Sequence, residues 1–242
     1  MKKHKKLIII LGSIISFVLI LIAVFGIYFG NYYHAVNVDE YLKSNEEVLV
    51  TNDEYISFIP QDEEIKGGII FYQGAKVEYT AYSKLMYELA LEGYAAFIVK
   101  MPFNFAIFGV NKADEIINDY DIDNWYLMGH SLGGAMASSY VSQNLDVIDG
   151  IILLASYSTE DLTKTKVLSI YGSNDLVLNI DKYNEYKCNL PQDLTEVVID
   201  GGNHAYFASY GEQNGDGLAT ITSEEQITIT VEAILDFMKW GK

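Results

Sequence analysis

From Val48 onward the chain repeats one pattern: a short run of apolar residues, most often followed by a stretch with helical spacing. The runs are "EVLVT" (47–51), "YISFI" (55–59), "GIIFY" (68–72), "AAFIV" (95–99), "WYLM" (125–128), "GIILLA" (150–155), "VLSIY" (167–171) and "EVVI" (196–199). The later ones are apolar at consecutive rather than alternate positions. Strands of that kind bury both faces, as they do in a parallel sheet covered by helices on both sides. The pattern therefore predicts an α/β domain with a mostly parallel central sheet.

Two helices are explicit. Between Tyr79 and Glu92, Tyr82, Leu85, Met86 and Leu89 share one face, with Lys84, Glu88 and Glu92 opposite and Gly93 as the stop signal. The last helix opens at "TSEE", where Thr222 and Glu225 have capping-box spacing, and buries Ile227, Val231, Ile234, Leu235 and Met238. At 242 residues the chain holds one such domain, expected at 47–242, and not two.

The N-terminus is of another kind. A basic tail (residues 1–6) precedes an uncharged apolar run from Leu7 to Phe29, which as a helix spans roughly 34 Å, enough to cross a bilayer. A cleaved signal peptide would have a shorter apolar region and a small-residue cleavage site. Here the following "NYYHAV" has no such pattern, so residues 7–29 read as an uncleaved signal-anchor and 30–46 as a polar tether. Lys2, Lys3, Lys5 and Lys6 precede the span and no lysine follows it until Lys43. The positive-inside rule then leaves the N-terminus cytoplasmic and the domain outside a cell membrane crossed once.

Four of the 16 basic residues lie in that tail, ahead of any acid, so the remainder carries 12 basic against 33 acidic residues, a formal −21. That field repels nucleic acids, and with no arginine there is no bidentate phosphate clamp. Cys188 is the single cysteine, which excludes an internal disulfide and a thiolate metal cluster.

In a parallel sheet chemistry gathers at the carboxyl ends of the strands. "YLMGHSLGGAMASSY" (126–140) places Ser131 directly after a strand and before a helical segment, with Gly129 and Gly133 permitting a tight turn. Ser131 reads as a nucleophile on that turn, against the plainer reading of a helix-capping serine. A serine needs a base to take its proton. Of four histidines, His4 lies in the tail, His34 beside the span, and His130 adjoins the serine with its side chain turned away. His204, in the glycine-bearing loop after the last strand, is the candidate base. The imidazole needs a carboxylate, and Asp175, just past "VLSIYGSN", ranks before Asp200. An oxyanion site needs two backbone N–H donors. Leu132 offers one and the loop "QGAKVE" the other, from Ala75 or Gly74. Lys76 either borders the pocket or is solvated. Phe103, Phe105 and Phe108 in "MPFNFAIFG" either wall an acyl pocket or seal the edge of the core.

"FYQGAKVE", "VKMPFNFAIFG", "GHSLGGAMA", "LSIYGSND" and "GGNHAYFASYGEQNGDG" together resemble the α/β-hydrolase superfamily. More closely, the chain resembles the small group called α/β-hydrolase fold family 5, related in form to dienelactone hydrolases. The resemblance implies a sheet of about eight strands, with Ser131 as nucleophile, Asp175 as acid and His204 as base. Dienelactone hydrolases typically carry a cysteine where this chain has Ser131. Many relatives insert a helical lid where this chain has only "STEDLTKT", so the lid is expected to be minimal or absent. The resulting expectation is a membrane-anchored serine hydrolase acting on a small or amphiphilic acyl ester, without metal or organic cofactor. An acyltransferase on the same three residues and a non-catalytic binding module are its rivals.

Overall fold

The computed structural model describes residues 2–61 and 64–239, and the side chains of all of these except 2–5 and 7–9. Met1 of the basic tail, Asp62 and Glu63 within the domain, and residues 240–242 at its end lie outside the described residues. The chain forms two units that divide between Tyr32 and Tyr33. The first holds helix α1 (Lys2–Gly30). From Ile10 to Gly30, 21 residues, its mean hydropathy is 2.9 and none of its side chains is buried. A helix of that length and composition suits a membrane span or a signal sequence alike.

The second unit is built on strands β1 (Val48–Asn52), β2 (Tyr55–Pro60), β3 (Gly68–Tyr72), β4 (Ala95–Val99), β5 (Trp125–His130), β6 (Ile148–Leu154), β7 (Lys166–Gly172) and β8 (Thr195–Ile199). Every apolar run forms its strand. They make an eight-stranded sheet in the order β1-β2-β4-β3-β5-β6-β7-β8. β2 is antiparallel to both β1 and β4, and every other pair is parallel.

The consecutive apolar residues have the expected cause. Along β3, Ile69 and Phe71 enter one core while Ile70 and Tyr72 enter the other. Helices α2 (Ser83–Leu91) and α6 (Ser223–Lys239) close the first core, and α3 (Ala113–Asp119) and α4 (Leu132–Val141) the second, while the short α5 (Ile180–Tyr186) comes between β7 and β8 in the chain. Each fully buried Leu, Ile or Phe contributes about 1.5–3 kcal/mol relative to exposure. A polar residue on either face of these strands would therefore weaken a core directly.

The helix signals also hold. Tyr79–Tyr82 is a tighter 3₁₀ turn leading into α2, and Gly93, at φ 90°, ends that helix. At α6 the Thr222 N–H donates to Glu225 Oε2 (2.7 Å) while Thr222 Oγ1 accepts the Glu225 N–H (3.1 Å). Between β6 and β7 the chain has no helix, so no lid is inserted there.

Residues 33–46 are not a tether. The Tyr33 N–H donates to Lys76 O (2.7 Å), Tyr33 O accepts the Glu78 N–H (2.9 Å), and the Val36 N–H donates to Ser209 O (2.8 Å). Val38 is buried, and Asn45 Oδ1 accepts the N–H groups of Glu47 and Val48 ahead of β1. Backbone groups make most of these bonds, so a polar composition gave no warning of them.

Candidate active site

The turn between β5 and α4 carries the strain expected of an exposed nucleophile. Ser131 sits at φ 53°, ψ −123°, a region side chains rarely occupy, at a cost of about 1–3 kcal/mol. What holds it there is close packing on every side. A Cβ on Gly129 would lie 2.5 Å from the Gly133 backbone, and one on Gly133 would lie 2.1 Å from Tyr72 O at the end of β3. A Cβ on Gly134 would meet Ser156 at 2.6 Å. The Ser131 N–H donates to Leu154 O (2.9 Å), and Ser131 O accepts the Ser156 hydroxyl (2.7 Å). The glycines thus let α4 press onto two neighbouring strand ends, and the serine is left on the apex.

The structure brings His204 and Asp175 together. His204 Nδ1 lies 2.9 Å from Asp175 Oδ2, with the side chains only 2% and 1% exposed. A carboxylate only accepts, so His204 Nδ1 carries a proton. The other oxygen, Asp175 Oδ1, accepts the N–H groups of Val177 (2.8 Å) and Leu178 (2.7 Å), which fixes the carboxylate. Asp200, the alternative, is exposed and its carboxylate bonds to the Ser173 hydroxyl.

A layer of polar side chains behind this pair was not assigned from sequence. Gln226, fully buried on α6, accepts the Asn203 N–H (3.0 Å) and donates to Asn203 O (2.8 Å). Asp216 accepts the Ala205 N–H on one oxygen (2.9 Å) and the Leu176 N–H on the other (3.3 Å). It therefore ties the residue after His204 to the residue after Asp175. Nothing local in the glycine-rich "YGEQNGDG" indicates which distant N–H groups Asp216 meets.

The oxyanion candidates are separated by one bond. The Gly74 N–H donates to Tyr82 Oη (3.1 Å), so Gly74 is not available as a donor. Ala75 and Leu132 remain, and neither N–H donates to a protein acceptor among the described residues. His130, fully buried, contacts Tyr82 Oη through Nδ1 (2.8 Å) and His204 O through Nε2 (3.1 Å). Burial, reinforced by the neighbouring His204, holds its pKa well below the usual histidine value, although the bond to the His204 carbonyl opposes this.

Ser131 and His204 open onto one cavity of about 420 Å³, lined also by Leu132, Ala135, Met136, Ala155, Tyr157, Val177, Leu178 and Asn179. The aromatic loop does not line it, and neither does Lys76. Phe103 and Phe108 are 54% and 50% exposed, and Phe108 borders a separate surface hollow with Lys112 and Glu115. Phe108 packs edge-on against both Phe103 and Phe105, with centroids 5.9 Å and 6.4 Å apart. The cavity is instead walled in part by Met136, Val177 and Leu178, which arrive from α4 and the loop after β7. A larger cleft of about 530 Å³ lies between β8 and α6, but its walls hold no serine, cysteine or histidine.

A model of the alpha/beta hydrolase family matches residues 68–228, which span every one of these site residues. No curated protein matches the chain. Among solved structures, a predicted CIB-like hydrolase from Thermoplasma acidophilum is similar at 20% identity and a TM-score of 0.57, covering 78% of this chain and 99% of its own. A monoglyceride lipase from Saccharomyces cerevisiae is similar at 11% identity and 0.59, covering 83% and 96%. Carboxyl esterase 2 from Tuber melanosporum is similar at 13% identity and 0.59, covering 86% and 90%. At these identities the likeness is one of fold.

Proposed function

Since the chain belongs to the alpha/beta hydrolase family, we propose that it is a serine hydrolase that cleaves an ester or related acyl bond, anchored to a membrane by residues 7–29. The observation that carries this reading is the buried His204–Asp175 pair opening onto the cavity that the strained Ser131 also lines. With its proton on Nδ1, His204 offers Nε2 to the Ser131 hydroxyl. Ser131 Oγ attacks the acyl carbon, and the oxyanion meets the N–H groups of Leu132 and Ala75. The imidazolium then protonates the leaving alcohol as its bond to the acyl carbon breaks. Water, deprotonated by His204, attacks the acyl-enzyme and releases the acid, restoring Ser131.

The cavity favours an uncharged acyl group of modest size. Its volume falls within the ~300–1,000 Å³ of small-molecule sites, and its walls are mostly apolar. The acidic surface repels anions in the same direction. Two of the fold neighbours are by name a monoglyceride lipase and a carboxyl esterase, which makes acyl esters the first substrates to try. The four N-terminal lysines place the domain outside the membrane under this reading.

The test is labelling of the full chain in detergent micelles with a fluorophosphonate probe. Wild type is expected to label, and Ser131→Ala and His204→Ala are not. A folded wild type that stays unlabelled would overturn the reading.

A further inference from the structure

The bonds around Gly74 and His130 form one chain whose every proton can be assigned. His204 O is a carbonyl and only accepts, so the His130 proton lies on Nε2 and donates to it (3.1 Å). The ring is fully buried and held neutral, so His130 Nδ1 is an acceptor. The group facing it at 2.8 Å is Tyr82 Oη, which therefore donates its own proton. Burial pushes the Tyr82 pKa up, which keeps that proton in place. Tyr82 Oη in turn accepts the Gly74 N–H (3.1 Å). The direction is continuous, from Gly74 N–H to Tyr82 Oη–H to His130 Nδ1, and from His130 Nε2–H to His204 O.

This chain ends on two parts of the machinery that lie far apart in sequence. At one end it fixes the peptide of Gly74 in the loop after β3. The remaining N–H groups of that turn are also accounted for: Lys76 donates to Asn104 O (2.9 Å) and Val77 to Gly74 O (3.3 Å). Within Gly74–Val77, the Ala75 N–H is the one left without a protein acceptor among the described residues. At the other end it holds the main chain of the residue that carries the base. The fit is close throughout. A Cβ on Gly74 would lie 2.9 Å from His130 Nδ1 and 3.0 Å from Tyr82 Oη, and the His130 and His204 ring centroids are 4.6 Å apart.

We propose that Tyr82 and His130 are positioning residues that hold the Ala75 N–H and the His204 imidazole in register with the oxyanion formed on Ser131. The proposal rests on the reading of Ser131 as the nucleophile. Neither residue touches substrate. Their effect is to keep a donor aimed where charge develops in the transition state, where a displacement of about 1 Å can cost ~100-fold.

The experiment uses the full chain in detergent, with rates normalised to fluorophosphonate-labelled sites. Tyr82→Phe removes only the hydroxyl. It is expected to lower kcat about 10- to 100-fold with KM within about twofold, and to weaken a trifluoromethyl ketone, which forms an oxyanion on the serine, by the same factor. His130→Leu, which removes the acceptor of the Tyr82 hydroxyl, carries the same pair of readouts should Tyr82→Phe not fold. His130→Asn keeps an acceptor near the Nδ1 position and is expected to restore ketone affinity to within about threefold of wild type. A merely structural role would shift Tm and leave kcat per labelled site and ketone affinity unchanged, and that result overturns the proposal. An unlabelled wild type would instead remove the serine-hydrolase reading, and this proposal with it.

Discussion

Two loops that leave the sheet beyond a strand's carboxyl end behave in opposite ways. The loop from Gly201 to Thr222, after β8, carries His204; Gln226 bonds to it from α6, and its own Asp216 and Asn203 bridge across it, Asn203 donating to Gly217 O (2.9 Å). The loop from Met101 to Lys112, after β4, carries the phenylalanines and is folded mainly on itself. It has successive 3₁₀ turns whose N–H groups of Asn104, Phe105, Phe108, Gly109 and Lys112 each reach back three residues. Both have a composition that attracts notice. Catalysis needs atoms held to a fraction of an ångström, and the first loop is pinned at several points by side-chain-to-backbone bonds from Gln226, Asp216 and Asn174, whereas in the second the Tyr72 hydroxyl donates to Val110 O.

The largest effect is expected where the clamped loop meets the chemistry. His204→Ala should cut ester hydrolysis at least ~10³-fold without loss of fold, because a triad acts as a unit. Activity near wild type would show that another base serves Ser131.

Next comes the clamp itself. Gln226→Leu leaves the Asn203 N–H and C=O buried without partners, at about 1–3 kcal/mol each. Urea unfolding should report a loss of about 2–5 kcal/mol. A change under 0.5 kcal/mol would mean that the loop finds other partners.

Asp216→Ala should lower kcat about 10- to 100-fold, since it frees the His204 and Asp175 segments from one another. If KM rose instead and kcat held, Asp216 would belong to substrate binding.

A smaller effect comes from His130, beneath the same loop. Its folded pKa is depressed, so the unfolded chain binds the extra proton. Its contribution to stability is therefore complete above the unfolded value of about 6.5 and is lost as pH falls below it, at up to ~1.4 kcal/mol per pH unit. Urea unfolding between pH 7.5 and 5.5 should show this slope, and His130→Gln should reduce it. An unchanged slope in the variant would assign it to other groups.

The smallest effect belongs to the unclamped loop. Phe103→Ser with Phe108→Ser, at half-exposed positions, should shift stability by about 0.5 kcal/mol or less. Turnover of a water-soluble short-chain ester should stay within about twofold. A tenfold loss would return these rings to the pocket wall and break the contrast between the loops.

How far the site was legible follows from range. Ser131, Asp175 and His204 each lie just past an apolar run, so recognising the strands places all three at one end of the sheet. The choice of Asp175 over Asp200 also follows from position, but the bond that decides it spans 29 residues. Ala75 could not be told from Gly74 in the sequence, because the deciding hydroxyl belongs to Tyr82 on another element. Tyr33–Glu46 looked like a linker because their contacts with the domain run largely through the backbone.

The sequence by itself determined which segments are strands, that the sheet is mostly parallel, and which three side chains stand at its carboxyl end. These rest on local apolar spacing and on glycines that no larger residue can replace. Only the tertiary structure decided that the Gly74 N–H is engaged by Tyr82 while that of Ala75 is not, which side chains wall the cavity, and what holds His204 against Asp175. Each of those depends on directional hydrogen bonds and close contacts between residues far apart in the chain, and their partners are chosen only once the sheet has brought the loops together.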